Sequence, residues 1–130
     1  MADYGTDGWA AEVSGLWADL PDAPGAEGTV ALAVAIAPRR DATLHWTYRD
    51  GKVVSGGSGP GEAPALTLSL GVGDGPEVWS GRVEPSVAFM RGRLKATGEG
   101  ALLLAFLGST ATDGFQRWRA KVEALSPLPN

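Results

Sequence analysis

The chain has 130 residues, 44% of them hydrophobic and 20% charged, which places it with globular rather than disordered proteins and fits one domain spanning residues 1–130, with its core over about 9–125. The net charge is -4, and six acids with no Lys or Arg precede Arg39, so the acidic N-terminal third weighs against nucleic acid as a partner. Cysteine is absent, which removes disulfides, thiolate metal sites and a cysteine nucleophile together.

The N-terminus lacks the basic and apolar regions of a signal peptide, and no window approaches the apolar length of a membrane span. The final Pro127-Leu128-Pro129-Asn130 is no peroxisomal address and is expected to fray. A cytoplasmic protein with no integral membrane contact is expected.

The first periodic segment is WAAEVSGLWADL, residues 9–20. Trp9, Val13, Leu16, Trp17 and Leu20 share one face at helical spacing. A helix is predicted there, capped by Asp7 or Thr6, weakened by Gly15 and stopped by Pro21 and Pro24. Residues 29–37 alternate bulky and small. Val30, Leu32, Val34 and Ile36 face one way; Ala31, Ala33 and Ala35 form a flat opposite face. Residues 43–48 make a second strand, with Leu44, Trp46 and Tyr48 on one face and His45 on the other. Asp50-Gly51 suits a type I′ turn into a third strand through Val53 and Val54.

Residues 56–64, GGSGPGEAP, read as a flexible loop without the spacing of a phosphate cradle. A fourth strand, 65–70, puts Leu66, Leu68 and Leu70 on one face. Short helices are predicted from Asp74 to a Gly81 stop and from Pro85 to a Gly92 stop. In a fifth strand, 93–97, Leu94 and Ala96 point inward and Arg93, Lys95 and Thr97 outward. A helix over 101–107 carries Leu103, Phe106 and Leu107 on one face with Leu102 beside it. The last helix, about 113–125, has Phe115, Trp118, Val122 and Leu125 as its stripe, Asp113 and Gln116 as a capping box, and Arg117, Arg119 and Lys121 away from the stripe. Strands separate from helices rather than alternating with them, so the fold class is α+β with a mainly antiparallel five-stranded sheet.

The succession DGKV (50–53), PALTLSL (64–70), VWSGRVEPSVAFMRGRLKATGE (78–99) and GALLLAF (100–106) resembles the sterol carrier protein type-two family of lipid-transfer domains. The most specific part is Pro85 to Gly98, and the likeness runs over roughly residues 29–107. It implies a five-stranded sheet covered by helices that enclose an apolar tunnel for acyl chains, sterols or similar molecules. The Gly- and Pro-rich loop at 56–64 and the aromatic, basic last helix depart from that pattern.

An apolar stripe is more often core than pocket. The resemblance singles out Trp79, Phe89, Met90, Leu102, Leu103, Phe106 and Leu107 as candidate tunnel lining, with Trp118 either packed or covering the mouth. Arg91, Arg93 and Lys95 are either a solvated face or an anchor for a carboxylate or an anionic surface. His45 has no nucleophile beside it, and no carboxylate cluster or H-E-x-x-H suggests a metal. No catalytic residue and no cofactor is assigned. The expected partner is an apolar small molecule bound without chemistry. Two rivals stand beside it: an interaction module with a vestigial cavity whose aromatic last helix docks a protein partner, and an enzyme using His45 or Glu99 on a hydrophobic substrate.

Overall fold

A computed structural model describes residues 6–37 and 40–125 of the chain. The side chain of Ile36, the alternative cap Asp7 and the tail from 126 onward lie outside what is described.

Five strands form one sheet: β1 (Gly28–Ala37), β2 (Arg40–Arg49), β3 (Lys52–Ser58), β4 (Leu66–Leu70) and β5 (Leu94–Gly98), in the spatial order β3-β2-β1-β4-β5. β1 pairs β2 antiparallel, as β2 does β3 and β4 does β5, whereas β1 and β4 are parallel. The sheet is therefore mixed. The β2–β3 turn has positive φ at both Asp50 (52°) and Gly51 (79°), as a type I′ turn requires. The segment before β1 pins it: Gly51 N–H donates to the Ala26 carbonyl and Asp50 N–H to the Glu27 carboxylate.

Period-2 alternation gives the sheet two unlike faces. Val30, Leu32, Leu44, Trp46, Tyr48, Leu66, Leu68 and Leu94 are buried on the inner face. Among the described residues, five helices cover it: α1 (Asp7–Ser14), α2 (Asp74–Trp79), α3 (Pro85–Met90), α4 (Gly100–Ser109) and α5 (Asp113–Leu125). The outer face carries Ala33, Ala35, Thr43, His45, Ser69, Lys95 and Thr97, and all of these are exposed or half-buried.

Four local expectations are corrected. The predicted 9–20 helix breaks at Ser14 and resumes as a 3-10 turn, Trp17–Asp19. The Ser14 hydroxyl caps the Ala11 carbonyl, and past Gly15 the bonding tightens, with Leu16 N–H donating to the Val13 carbonyl. The predicted loop at 56–64 begins as strand, because β3 runs on to Ser58. Glycine is used there for close approach: a Cβ on Gly56 would lie 2.7 Å from Trp17 Cβ, and one on Gly57 3.0 Å from His45 Cε1. Two rings thus press on opposite faces of the edge strand. The cap of α5 is Thr112, whose hydroxyl accepts from Phe115 N–H, rather than an Asp113–Gln116 box; the Gln116 side chain accepts from Arg119 instead. Finally, Arg119 does not fall away from the packed surface. Its side chain is only 15% exposed and donates to the Trp79 carbonyl at 2.7 Å, tying α5 to the C-terminal end of α2.

Candidate functional site

Between the inner face and the helices lies an apolar cavity of about 30 Å³. Leu32 of β1, Trp46 of β2, Leu68 and Leu70 of β4 and Leu94 of β5 form its floor. Val78 and Trp79 of α2, Pro85 of α3 and Phe106 of α4 meet Phe115 and Trp118 of α5 above it. Aromatic packing sets its walls. The Trp46 and Phe106 ring centroids are 5.6 Å apart, those of Trp79 and Trp118 5.9 Å, and those of Phe115 and Trp118 5.6 Å. Among the described residues no ionisable side chain lines the space.

About 10–15 Å³ admits one water, so a space of about 30 Å³ holds about two or three at most. Small-molecule sites run to roughly 300–1,000 Å³. The cavity is a narrow seam in the core, and a ligand of more than a few atoms requires a wall to move. α4 is held by Leu102, Phe106 and Ser109, which are buried, with Phe106 packed on Trp46 of β2.

Of the predicted lining residues, Trp79, Phe106 and Trp118 do line the cavity, and Trp118 is packed inside rather than set over a mouth. Leu102 is buried but outside the lining, and Phe89, Leu103 and Leu107 are half-buried around the core. α4 is turned by one residue from its predicted phase: Leu102 and Phe106, four apart, face inward, while Leu104 is 72% exposed. Met90 is 83% exposed and outside the lining. Six residues make α3 less than two turns; it buries Pro85 and Ala88, three apart, and Met90, two positions on, is carried to the far side. Sequence reasoning assigns Trp46, Leu32, Leu68 and Leu94 only to strand faces. Their alternation is the available signal for the floor.

Polar atoms sit awkwardly here. The indole nitrogens of Trp46, Trp79 and Trp118 are buried without a hydrogen-bond partner among the described residues. The Tyr48 hydroxyl is buried near the Trp46 and Ser109 side chains, but neither meets hydrogen-bond geometry, and Ser109 donates to the Phe106 carbonyl. Burial pushes the Tyr48 hydroxyl up to about 12, against a smaller opposing pull from those two neighbours.

A second hollow, about 520 Å³, opens on the outer face. Ala33, Ala35 and Ser69 line it with the acids Asp41 and Asp74 and the bases Arg93 and Lys95. Arg91 lies outside it, and all three predicted basic residues are exposed. His45 is on this face too, its Nδ1 2.9 Å from the Gly59 carbonyl, and Glu99 is exposed just before α4. Neither touches the inner cavity. Among the described residues no cluster of His, Asp and Glu could hold a metal, and no helix is long and apolar enough to cross a membrane.

No protein-family model and no curated protein matches the sequence. Solved structures do. The crystal structure of a sterol carrier protein 2 matches with a TM-score of 0.65 at 24% identity, over 88% of this chain and 96% of that one. A hypothetical protein of Thermus thermophilus, named as a candidate sterol carrier protein, matches with a TM-score of 0.60 at 20% identity over 99% of both chains. The palmitated sterol carrier protein 2-like protein of Aedes aegypti matches with a TM-score of 0.61 at 12% identity, over 83% of this chain and 96% of that one. At such identities the likeness is one of architecture, and in architecture this chain has the fold of sterol carrier protein 2.

Proposed function

We propose that the chain is a non-catalytic carrier that takes an apolar small molecule, such as an acyl chain or sterol, into the seam between the sheet and its helices. The observation that carries this reading is the lining itself. Among the described residues, strand and helix layers meet there through uncharged side chains alone, three of them indoles, so the space offers burial of apolar surface. Burying each methylene of a ligand is worth about 0.8 kcal/mol, so a chain binds without a charged anchor. Loading displaces a wall such as α4 and brings half-buried Leu103 and Leu107 towards the enlarged space. The palmitated relative of the same fold supports the choice of an acyl chain as one cargo. The cytoplasm is the compartment we assign to the cysteine-free chain.

Native mass spectrometry of the purified protein, with solvent extraction of anything bound, tests the reading. A discrete apolar adduct, or uptake of added fatty acid or sterol, is the expected result. A bare protein that ignores both would overturn it. The small cavity favours one alternative, an interaction module whose cavity is vestigial. That alternative would need a docking surface other than the aromatic stripe of α5, since Phe115, Trp118 and Val122 are committed to the core.

A further inference from the structure

The hollow on the outer face, about 520 Å³, falls within the size range of small-molecule sites, roughly 300–1,000 Å³. The sheet register lays it out. Ala33 of β1 pairs with Ser69 of β4, Ser69 with Lys95 of β5, and Ala35 with Asp41 of β2. Asp41 and Lys95 therefore stand on strands separated by β1 and β4, three spacings of about 4.8 Å or about 14 Å between backbones. Between them the floor is Ala33, Ala35, Ser69 and Gly71. The Asp74 carboxylate lies over Gly71, where a Cβ would come within 2.8 Å of its Oδ2. Arg93, two residues before Lys95, shares its face on the edge strand. Both acids thus lie on one side of both bases. Among the described residues none of these four side chains is in an ion pair, whereas Arg82, Arg119 and Lys121 pair with Glu77, Glu123 and Asp19.

We infer that the outer hollow is a second binding site, for a small dipolar molecule that carries an ammonium group and an anionic group several bonds apart. Its ammonium end donates to Asp41 and Asp74, and its anionic end accepts from Arg93 and Lys95. The small side chains of the floor leave room for the chain that joins the two ends, and the Ser69 hydroxyl offers a donor and an acceptor along it. The balance of charge selects this class. A simple anion is drawn to the bases and repelled by Asp74, and a simple cation meets the reverse. An uncharged apolar molecule would strip water from four charged groups and return nothing to them. A molecule with both charges satisfies both sides at once. The site goes beyond the carrier reading and does not depend on it, because the sheet separates the two hollows.

The test titrates ¹⁵N-labelled protein at neutral pH and constant ionic strength with three probes of equal carbon count, 6-aminohexanoate, hexanoate and hexylammonium. The amide resonances of Ala33, Ala35 and Ser69 report the outer hollow, and those of Leu32 and Phe106 the inner one. 6-Aminohexanoate should move the outer set and leave the inner set in place. It should bind there about fivefold more tightly than either singly charged probe, the upper end of what an exposed charge pair contributes, and added salt should weaken it. Lys95→Ala should narrow its advantage over hexylammonium, and Asp41→Asn its advantage over hexanoate. Both residues are exposed, so both variants should fold. Outer-set binding of hexanoate or hexylammonium equal to that of 6-aminohexanoate would overturn the inference, as would an outer set that no probe moves. Either result would leave the carrier reading standing, which fails only if no apolar guest reaches the inner seam.

Discussion

The two faces of the sheet hold hollows of opposite kinds. The outer one is the larger, about 520 Å³, and the inner one about 30 Å³. Volume alone would send a ligand outward. Chemistry sends an apolar ligand inward. The outer hollow has Ala33, Ala35 and Ser69 on its floor and is edged by Asp41, Asp74, Arg93 and Lys95. Apolar surface placed there would desolvate charged groups and leave much of itself in water. The inner hollow is small because large apolar side chains from both layers fill it. Opening it exchanges protein packing for ligand packing without leaving a charge buried. What distinguishes the faces is therefore which one can enlarge around an apolar guest.

Substitutions on the two faces should separate accordingly. The largest effect is expected at Phe106, buried and packed on Trp46. Phe106→Ala should cost about 3–5 kcal/mol in denaturant unfolding. Because Phe106 is both lining and core, it should also weaken apolar ligand binding. Loss of binding with unchanged stability would make it a lid rather than a core residue.

The inner face should also show an alkaline limit. Tyr48 titrates near 10 when unfolded and is pushed to about 12 in the fold. The folded state thus retains a proton that the unfolded state has lost, and stability falls as pH rises from about 10 to 12. The fall is of the order of 2–3 kcal/mol. Tyr48→Phe should abolish this component and change little at neutral pH, since the hydroxyl completes no hydrogen bond. An unaltered alkaline fall in the variant would assign it elsewhere.

Arg119→Ala removes the link from α5 to the α2 carbonyl terminus and should cost about 2 kcal/mol, in the range of charge-assisted hydrogen bonds. Its near-ultraviolet circular dichroism should change, because the link holds Trp79 beside Trp118. On the outer face, Lys95→Ala should alter stability by no more than about 0.5 kcal/mol and leave apolar binding unchanged. A clear loss of binding there would move the site to the outer hollow.

Much of the frame is legible where local chemistry decides the backbone. Asp50-Gly51, Pro85, Gly81 and Gly92 mark their turns and helix ends in one or two residues, and strand alternation places Trp46 and Leu68 inward. The likeness of Pro85–Gly98 to sterol carrier domains agrees with the fold found. The misreadings have a common cause in tertiary contact. Gly56 and Gly57 look like loop residues until Trp17 and His45 are seen against them. The phase of α4 is hidden because Leu102, Leu103, Leu104, Phe106 and Leu107 leave no polar face to orient it. Met90 is singled out by the family resemblance, and a helix of six residues has too few turns for periodicity to say which side it takes. Arg119 is missed because a cation near a helix stripe is indistinguishable in sequence from a solvated one.

The most direct measurement is a set of intermolecular nuclear Overhauser contacts between the protein and a bound fatty acid. Contacts from its chain to the side chains of Leu68, Leu94 and Phe106 are predicted, with none to Ala33 or Ala35. Contacts confined to Ala33, Ala35 and Lys95 would place the guest on the open face and contradict the account.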